Sequence, residues 1–184
     1  MKLHILHDDR RFERKEILLQ ELATQGIVDY EIIQPEVDPK KRPFENINAA
    51  HKALVRMAKE KGMEEIAIAE DDVMFTHQTA WKYFLDKKPK DYTVYVAATY
   101  LMPPSQNLLT GVQLYIVHNS FYDSFLSVPE KAHIDNAICD LKSNHKICYP
   151  FAALQHPGYS ANNPGQKVNY NSGCGVKEHD LYRG

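Results

Sequence analysis

The first 75 residues alternate between short apolar stretches and segments with helical spacing, and few folds accept that order. KLHILH has strand character. RRFERKEILLQELATQG follows, with Phe12, Ile17, Leu18 and Leu22 at near-helical spacing and Gly26 as a stop. VDYEII reads as a second strand, and Pro35, Pro39 and Pro43 mark an irregular loop. NINAAHKALVRMAKEKG reads as a second helix. Asn46 or Asn48 caps it, Ala50, Leu54 and Met57 or Ala58 face inward, and Gly62 ends it. EIAIA is a third strand. Strand, helix, strand, helix, strand implies an α/β fold with a parallel sheet covered by helices. In such sheets ligands bind beyond the carboxyl ends of the strands.

That end of the third strand carries Glu70, Asp71 and Asp72 in succession. Adjacent carboxylates repel, and a cation relieves the repulsion. Hard divalent ions such as Mn²⁺ or Mg²⁺ take oxygen ligands and usually keep places for waters or substrate phosphates. Acids at a strand end, with a phosphate ligand supplying the rest, fit a metal–nucleotide site. The alternative is a solvated acidic turn.

The second half is less regular. Thr76 to Leu85 reads as a short helix carrying Trp81 and Phe84, and YTVYVAATY and GVQLYIVH read as strands around the loop LMPPSQNLLT. Asn119 caps a helix through Leu126, Pro129 separates it from another beginning near Asp135, and HKICYP is a last strand. From His156 onward Gly, Asn and Pro dominate, which predicts an irregular segment that packs over the site or is partly mobile.

Composition narrows the function classes. With 184 residues, one domain with one substantial core is expected. A formal charge of -2 with nine histidines gives no general attraction to nucleic acid or anionic membrane. The one basic cluster, Lys87, Lys88 and Lys90 around Pro89, reads as a solvated turn before it reads as a phosphate site. Three cysteines without CxxC spacing suggest reduced thiols in a cytoplasmic protein, not a disulfide scaffold or zinc site. The amino terminus becomes charged too early for a signal peptide, and no run approaches the ~20 apolar residues of a membrane span. A soluble chain is expected, with peripheral membrane association still open to it.

IAIAEDDVMF resembles the acidic motif of glycosyltransferase family 25, the lipooligosaccharide-type galactosyltransferases, in which an apolar strand runs into Glu-Asp-Asp. The likeness continues in order along the chain. HDDRRFERKEILLQELATQGIVDYEII resembles the family's opening strand, its Asp-Arg and Arg positions, and the helix and strand that follow. NAAHKALVRMAKEKG resembles the segment before the acidic strand, with His51 at a Ser-His position where Ala50 replaces the serine. GVQLYIVHNSFYDSFLS, HIDNAICDL and YPFAALQHPGYSAN resemble the later strand and helix, the Val-Asp helix start and the Pro…Gln…Ser ending. The chain is shorter than is usual for the family.

The resemblance implies a GT-A fold, Rossmann-like, with a mostly parallel sheet flanked by helices and an irregular C-terminal segment. It also implies transfer of a sugar from a UDP-sugar to a glycan or glycolipid hydroxyl, with inversion and with Mn²⁺ or Mg²⁺. Residues 1–75 would form the nucleotide-binding half, 76–155 the acceptor side, and 156–184 the irregular segment. Asp72 is the candidate direct metal ligand, with Glu70 or Asp71 reaching the ribose or a metal-bound water. His156, in a turn with Pro157 and Gly158, is the candidate further ligand, or else a surface histidine. Asp135 is the candidate base for the acceptor hydroxyl, or else a helix cap. His7, Asp8, Arg10 and Arg14 follow the first strand, where a nucleotide would lie, although Arg14 reads equally as a helix residue paired with acids. His51 reaches the nucleotide or the acidic triplet, or is a satisfied buried histidine. Gln155 and Ser160 complete the nucleotide-sugar set.

Two other classes use similar residues. A metal-dependent phosphohydrolase or nuclease also clusters carboxylates, usually from several strand ends. A shortened relative would hold a nucleotide-sugar without transferring it.

Overall fold

A computed structural model of the chain describes residues 1–99, 111–141, 143–159, 166–169 and 176–184. Ser160 therefore lies outside the described residues. The first strands and helices are β1 (Leu3–Leu6), α1 (Phe12–Thr24), β2 (Tyr30–Ile33), α2 (Pro43–Glu60) and β3 (Glu65–Glu70). They are followed by β4 (Val73–Phe75), α3 (Ala80–Asp86), β5 (Val94–Val96), β6 (Leu114–His118), α4 (Tyr122–Ser127) and α5 (Ile134–Asp140). The chain continues with β7 (His145–Ile147), β8 (Ala153–Gln155), β9 (Gly158–Tyr159) and β10 (Lys167–Val168).

Six strands form one sheet in the order β2-β1-β3-β6-β5-β7. Strands β2, β1 and β3 are mutually parallel, as are β5 and β7, and β6 alone runs antiparallel to both its neighbours. The fold is thus α/β with a mostly parallel sheet, as expected. Alternation along β3 builds a core on each face. Ala67 and Ala69 pack with Leu18 and Leu22 of α1, while Ile66 and Ile68 pack with Leu54, Val55 and Ala58 of α2. Burial of these side chains supplies about 1.5–3 kcal/mol each for the larger ones.

Several expected boundaries move. Helix α2 starts at Pro43, whose fixed φ suits a first helical position, and Glu45 Oε2 accepts from the Arg42 backbone N–H at 2.7 Å. Asn46 and Asn48 are therefore inside the helix. Asn48 is fully buried and donates to the Pro129 and Ala132 carbonyls, both at 2.9 Å, which ties α2 to the loop before α5. Asn119 does not cap α4; His118 heads a 3-10 turn over Asn119–Phe121, and α4 follows it. Phe12 and Ile17 are exposed, leaving Leu18 and Leu22 as the buried stripe of α1.

The strand HKI is not the last. Strand β8 pairs antiparallel with β4, aligning Val73 with Gln155, in a ribbon beside the main sheet. The C-terminal segment is also less irregular than its composition predicts. β9 and β10 pair, Leu181 forms a bridge with Phe151, and the Tyr182 ring stacks on Tyr83 with centroids 3.8 Å apart. Among the described residues, no helix is long and apolar enough to cross a membrane.

Candidate active site

A cavity of about 800 Å³ opens beyond the carboxyl ends of β1, β2 and β3. It gathers residues far apart in sequence: His7, Asp8, Arg10 and Arg14 after β1, His51 on α2, and Glu70, Asp71 and Asp72 after β3. Asp135 and Gln155 from the second half face the same space. The basic turn Lys87–Lys90 is elsewhere. Lys88 pairs with Glu65, the first residue of β3, at the opposite end of that strand from the triplet.

The triplet is not a solvated turn. The side chains of Asp71 and Asp72 are 8% and 4% exposed. Strand geometry sends the three acids in different directions. Glu70 shares the face of Ile66 and Ile68 and meets His51 of α2, whose Nε2 is 3.1 Å from Glu70 Oε1. Asp71 turns towards His7, with His7 Nδ1 2.9 Å from its Oδ2. Arg14, in the first turn of α1, donates from Nη1 to Asp71 Oδ1 and Asp72 Oδ2, each at 2.8 Å.

The ribbon of β4 and β8 serves this centre directly. Its register brings Gln155 beside the triplet, and Gln155 Nε2 donates to Asp72 Oδ2 at 2.8 Å. Gln113 Nε2 in turn donates to Gln155 Oε1 at 3.2 Å, which fixes the amide with its N–H towards the carboxylate. The ribbon also holds the backbone: His156 N–H donates to the Asp72 carbonyl at 2.7 Å.

One oxygen is left over. Asp72 Oδ1 is buried without a hydrogen-bond partner among the described residues, and so is His7 Nε2. Burial, then the neighbouring Glu70 charge, pushes the Asp72 carboxyl up to about 7, against the pull of Arg14. A buried carboxylate of this kind is the natural seat for a cation. No group of three His, Cys, Asp or Glu among the described residues is arranged to hold a metal ion. A divalent ion held by Asp72, with Glu70 near, would take its remaining ligands from waters and from phosphate oxygens, as Mg²⁺-type sites commonly do. The donor set fits such an ion.

The His156 ring meets Glu21 of α1, with Nε2 3.1 Å from Glu21 Oε1, and Glu21 Oε2 accepts from the Phe75 N–H. It joins α1 to the ribbon. Asp8 and Arg10 pair through two guanidinium nitrogens at the cavity mouth, and this contact holds the Asp8 carboxyl below its usual range.

Asp135 belongs to the first turn of α5, whose cap position is His133. It does not cap the helix. Its Oδ1 accepts from the Asn136 N–H at 2.9 Å and its Oδ2 from the Gly111 N–H at 3.2 Å. Gly111 has φ of +87°, a backbone region open mainly to glycine. Sequence reasoning missed Gly111 and Gln113, although both belong to the segment expected to form β6. A glutamine just before an apolar strand was the available signal.

No family model and no curated protein matches the chain. Solved structures do resemble its fold. The Drosophila β-1,4-galactosyltransferase 7, described in complex with manganese, UDP-Gal and xylobiose, aligns over 97% of this chain and 81% of its own, with TM-score 0.58 and 16% identity. A glycosyltransferase involved in glycosylation of the major capsid of PBCV-1 aligns over 81% of each chain, with TM-score 0.52 and 13% identity. The galactosyltransferase LgtC, with donor and acceptor sugar analogs, aligns over 81% of this chain and 73% of its own, with TM-score 0.50 and 8% identity. The fold is therefore of the GT-A glycosyltransferase type.

Proposed function

We propose that the protein is a glycosyltransferase that moves a sugar from a UDP-sugar to a hydroxyl of a glycan or glycolipid, with inversion and with a divalent cation. The observation that carries this reading is the buried Asp72, with one oxygen bonded to Arg14 and Gln155 and the other without a hydrogen-bond partner among the described residues. Mn²⁺ is the preferred ion and Mg²⁺ the substitute. Asp72 would hold it, and Glu70 would reach it directly or through water. When bound, the ion neutralises charge on the departing diphosphate.

The chain's own residues account for the rest. Arg14 keeps Asp71 and Asp72 side by side despite their charges. His7, Asp8, Arg10 and Arg14 stand after β1, where a nucleotide would lie across the strand ends. His51 and Gln155 orient carboxylates that the donor meets. Asp135 faces the same cavity, its carboxylate held by two backbone N–H groups. As the acceptor oxygen bonds the anomeric carbon and the bond to the diphosphate oxygen breaks, Asp135 takes the hydroxyl proton. Such a single displacement inverts the anomeric centre. The same two N–H groups orient the carboxylate for that transfer. Ser160 stays within the proposed nucleotide-sugar set, and His156 stays a candidate further metal ligand only if its ring leaves Glu21.

The likeness to family 25 rests on the ordered motifs. It favours a surface glycan of the lipooligosaccharide type as acceptor, while the cysteine usage favours a cytoplasmic site of action. The direct test is UDP release from UDP-galactose and UDP-glucose with a catalytic amount of protein in excess Mn²⁺, repeated in EDTA, with and without simple sugar acceptors. Metal-dependent release that rises with acceptor is expected. Phosphate release from sugar-free nucleotides at a comparable rate would favour a phosphohydrolase instead.

A further inference from the structure

Tyr115, His51 and Glu70 form a hydrogen-bonded chain that ends in the cavity. Tyr115 lies on β6 opposite Ile68 of β3, so its ring stands on the same sheet face as Ile68 and Glu70. Its hydroxyl is 2.6 Å from His51 Nδ1, and His51 Nε2 is 3.1 Å from Glu70 Oε1. Tyr115 and His51 are fully buried, whereas the Glu70 side chain is 28% exposed. The chain thus runs from the core outwards.

It also has a direction. A carboxylate oxygen accepts, so His51 Nε2 is the donor to Glu70 Oε1, and Nδ1 is left to accept from the Tyr115 hydroxyl. Burial, reinforced by the Glu70 charge, keeps that phenol well above its ordinary pKa, so it remains a donor. Apolar side chains would fill this part of the α2 face without the desolvation cost of a phenol and an imidazole. Among the described residues, both polar groups are satisfied by each other and by one carboxylate.

We infer that His51 and Tyr115 are positioning residues for Glu70. They hold its carboxylate on the α2 side of the cavity and keep it from swinging to Arg14, which already bonds Asp71 and Asp72. The Glu70 carboxylate selects the histidine tautomer, and the Tyr115 hydroxyl, donating to the other ring nitrogen, locks the ring in that orientation. The role at the ligand rests on the proposed function; the tautomer does not.

Two measurements separate those levels. Spectra of ¹⁵N-histidine-labelled protein, with the His51 signals identified by their loss in His51→Gln, report the tautomer without any ligand. The Nε2-protonated pattern is expected, and an Nδ1-protonated, Nε2-bare ring would overturn the inference. Calorimetry with UDP in Mn²⁺ then reads the consequence. His51→Leu should weaken binding about tenfold, the worth of a lost hydrogen bond to a charged group, at unchanged circular dichroism. His51→Gln, whose amide N–H can reach Glu70, should restore affinity to within about threefold of wild type, which a merely structural defect would not allow. Equal affinity for His51→Leu and wild type would contradict the inference. If wild type itself fails to bind UDP with Mn²⁺, the proposed function falls and the tautomer alone decides the positioning role.

Discussion

A single guanidinium nitrogen, Arg14 Nη1, lies 2.8 Å from Asp71 Oδ1 and 2.8 Å from Asp72 Oδ2. One cation on α1 thus holds two nearly buried acids that follow β3. Replacing it with an apolar chain of similar length removes the cation that both carboxylates share. Arg14→Met should lower unfolding stability by about 3–5 kcal/mol, the usual cost of removing one partner of a buried pair. Urea denaturation at pH 8 measures this. A loss below about 1 kcal/mol would show that the acids are stabilised by something other than Arg14.

Asp72 should behave in the opposite sense. Its folded pKa of about 7 lies above the ordinary 3.8, chiefly through burial. Its contribution to stability is therefore fully present below the ordinary value and is lost as pH rises through about 7. Asp72→Asn removes that titration and keeps an amide oxygen for Arg14 and Gln155. The variant should be more stable than wild type at pH 8, and the difference should shrink towards pH 4. It should also lose binding of UDP with Mn²⁺. A variant less stable than wild type at pH 8 would contradict the sign.

Asp135→Asn separates chemistry from binding. The helix cap is His133, so the substitution leaves α5 capped as before. Loss of the acceptor for Gly111 N–H costs about 1 kcal/mol of stability. UDP binding should stay close to wild type while sugar transfer falls about 10²–10⁴-fold, the range of a general base. Transfer at near wild-type rate would move the base to another acid.

The last residues contribute to the fold. The Tyr182 ring lies nearly parallel to Tyr83, at 7°, and Leu181 bridges Phe151. Tyr182→Ala should cost about 1 kcal/mol from the lost ring pair. Thermal unfolding of the full chain checks it, and an unchanged midpoint would mean that the stack is not maintained in solution.

How much of this was legible beforehand depends on how locally each feature is encoded. β1, α1, β2, α2 and β3 were readable because each carries its own period and stop, such as Leu18 and Leu22 on α1. The acids after β3 could be placed because strand ends in α/β sheets collect ligands. β8 was not readable. Ala153–Gln155 has too few residues for a periodic signal, and its strand character comes from pairing with β4. Gln155 and Asp72 are both legible by motif, but their contact is not, since it depends on the β4–β8 register. Arg14 was readable as paired with acids, yet nothing in its helix says that the acids are Asp71 and Asp72. Asp135 was placed near a helix start, and only the backbone shows that His133 takes the cap.

The central claim is that this cavity holds a nucleoside diphosphate through a divalent cation seated on Asp72. Isothermal titration of UDP into the metal-free protein, in saturating Mn²⁺ and separately in EDTA, tests it most directly. The expected result is saturable binding in Mn²⁺ that is lost in EDTA and in Asp72→Asn. Equal UDP affinity in EDTA and in Mn²⁺, or no binding in either, would contradict it.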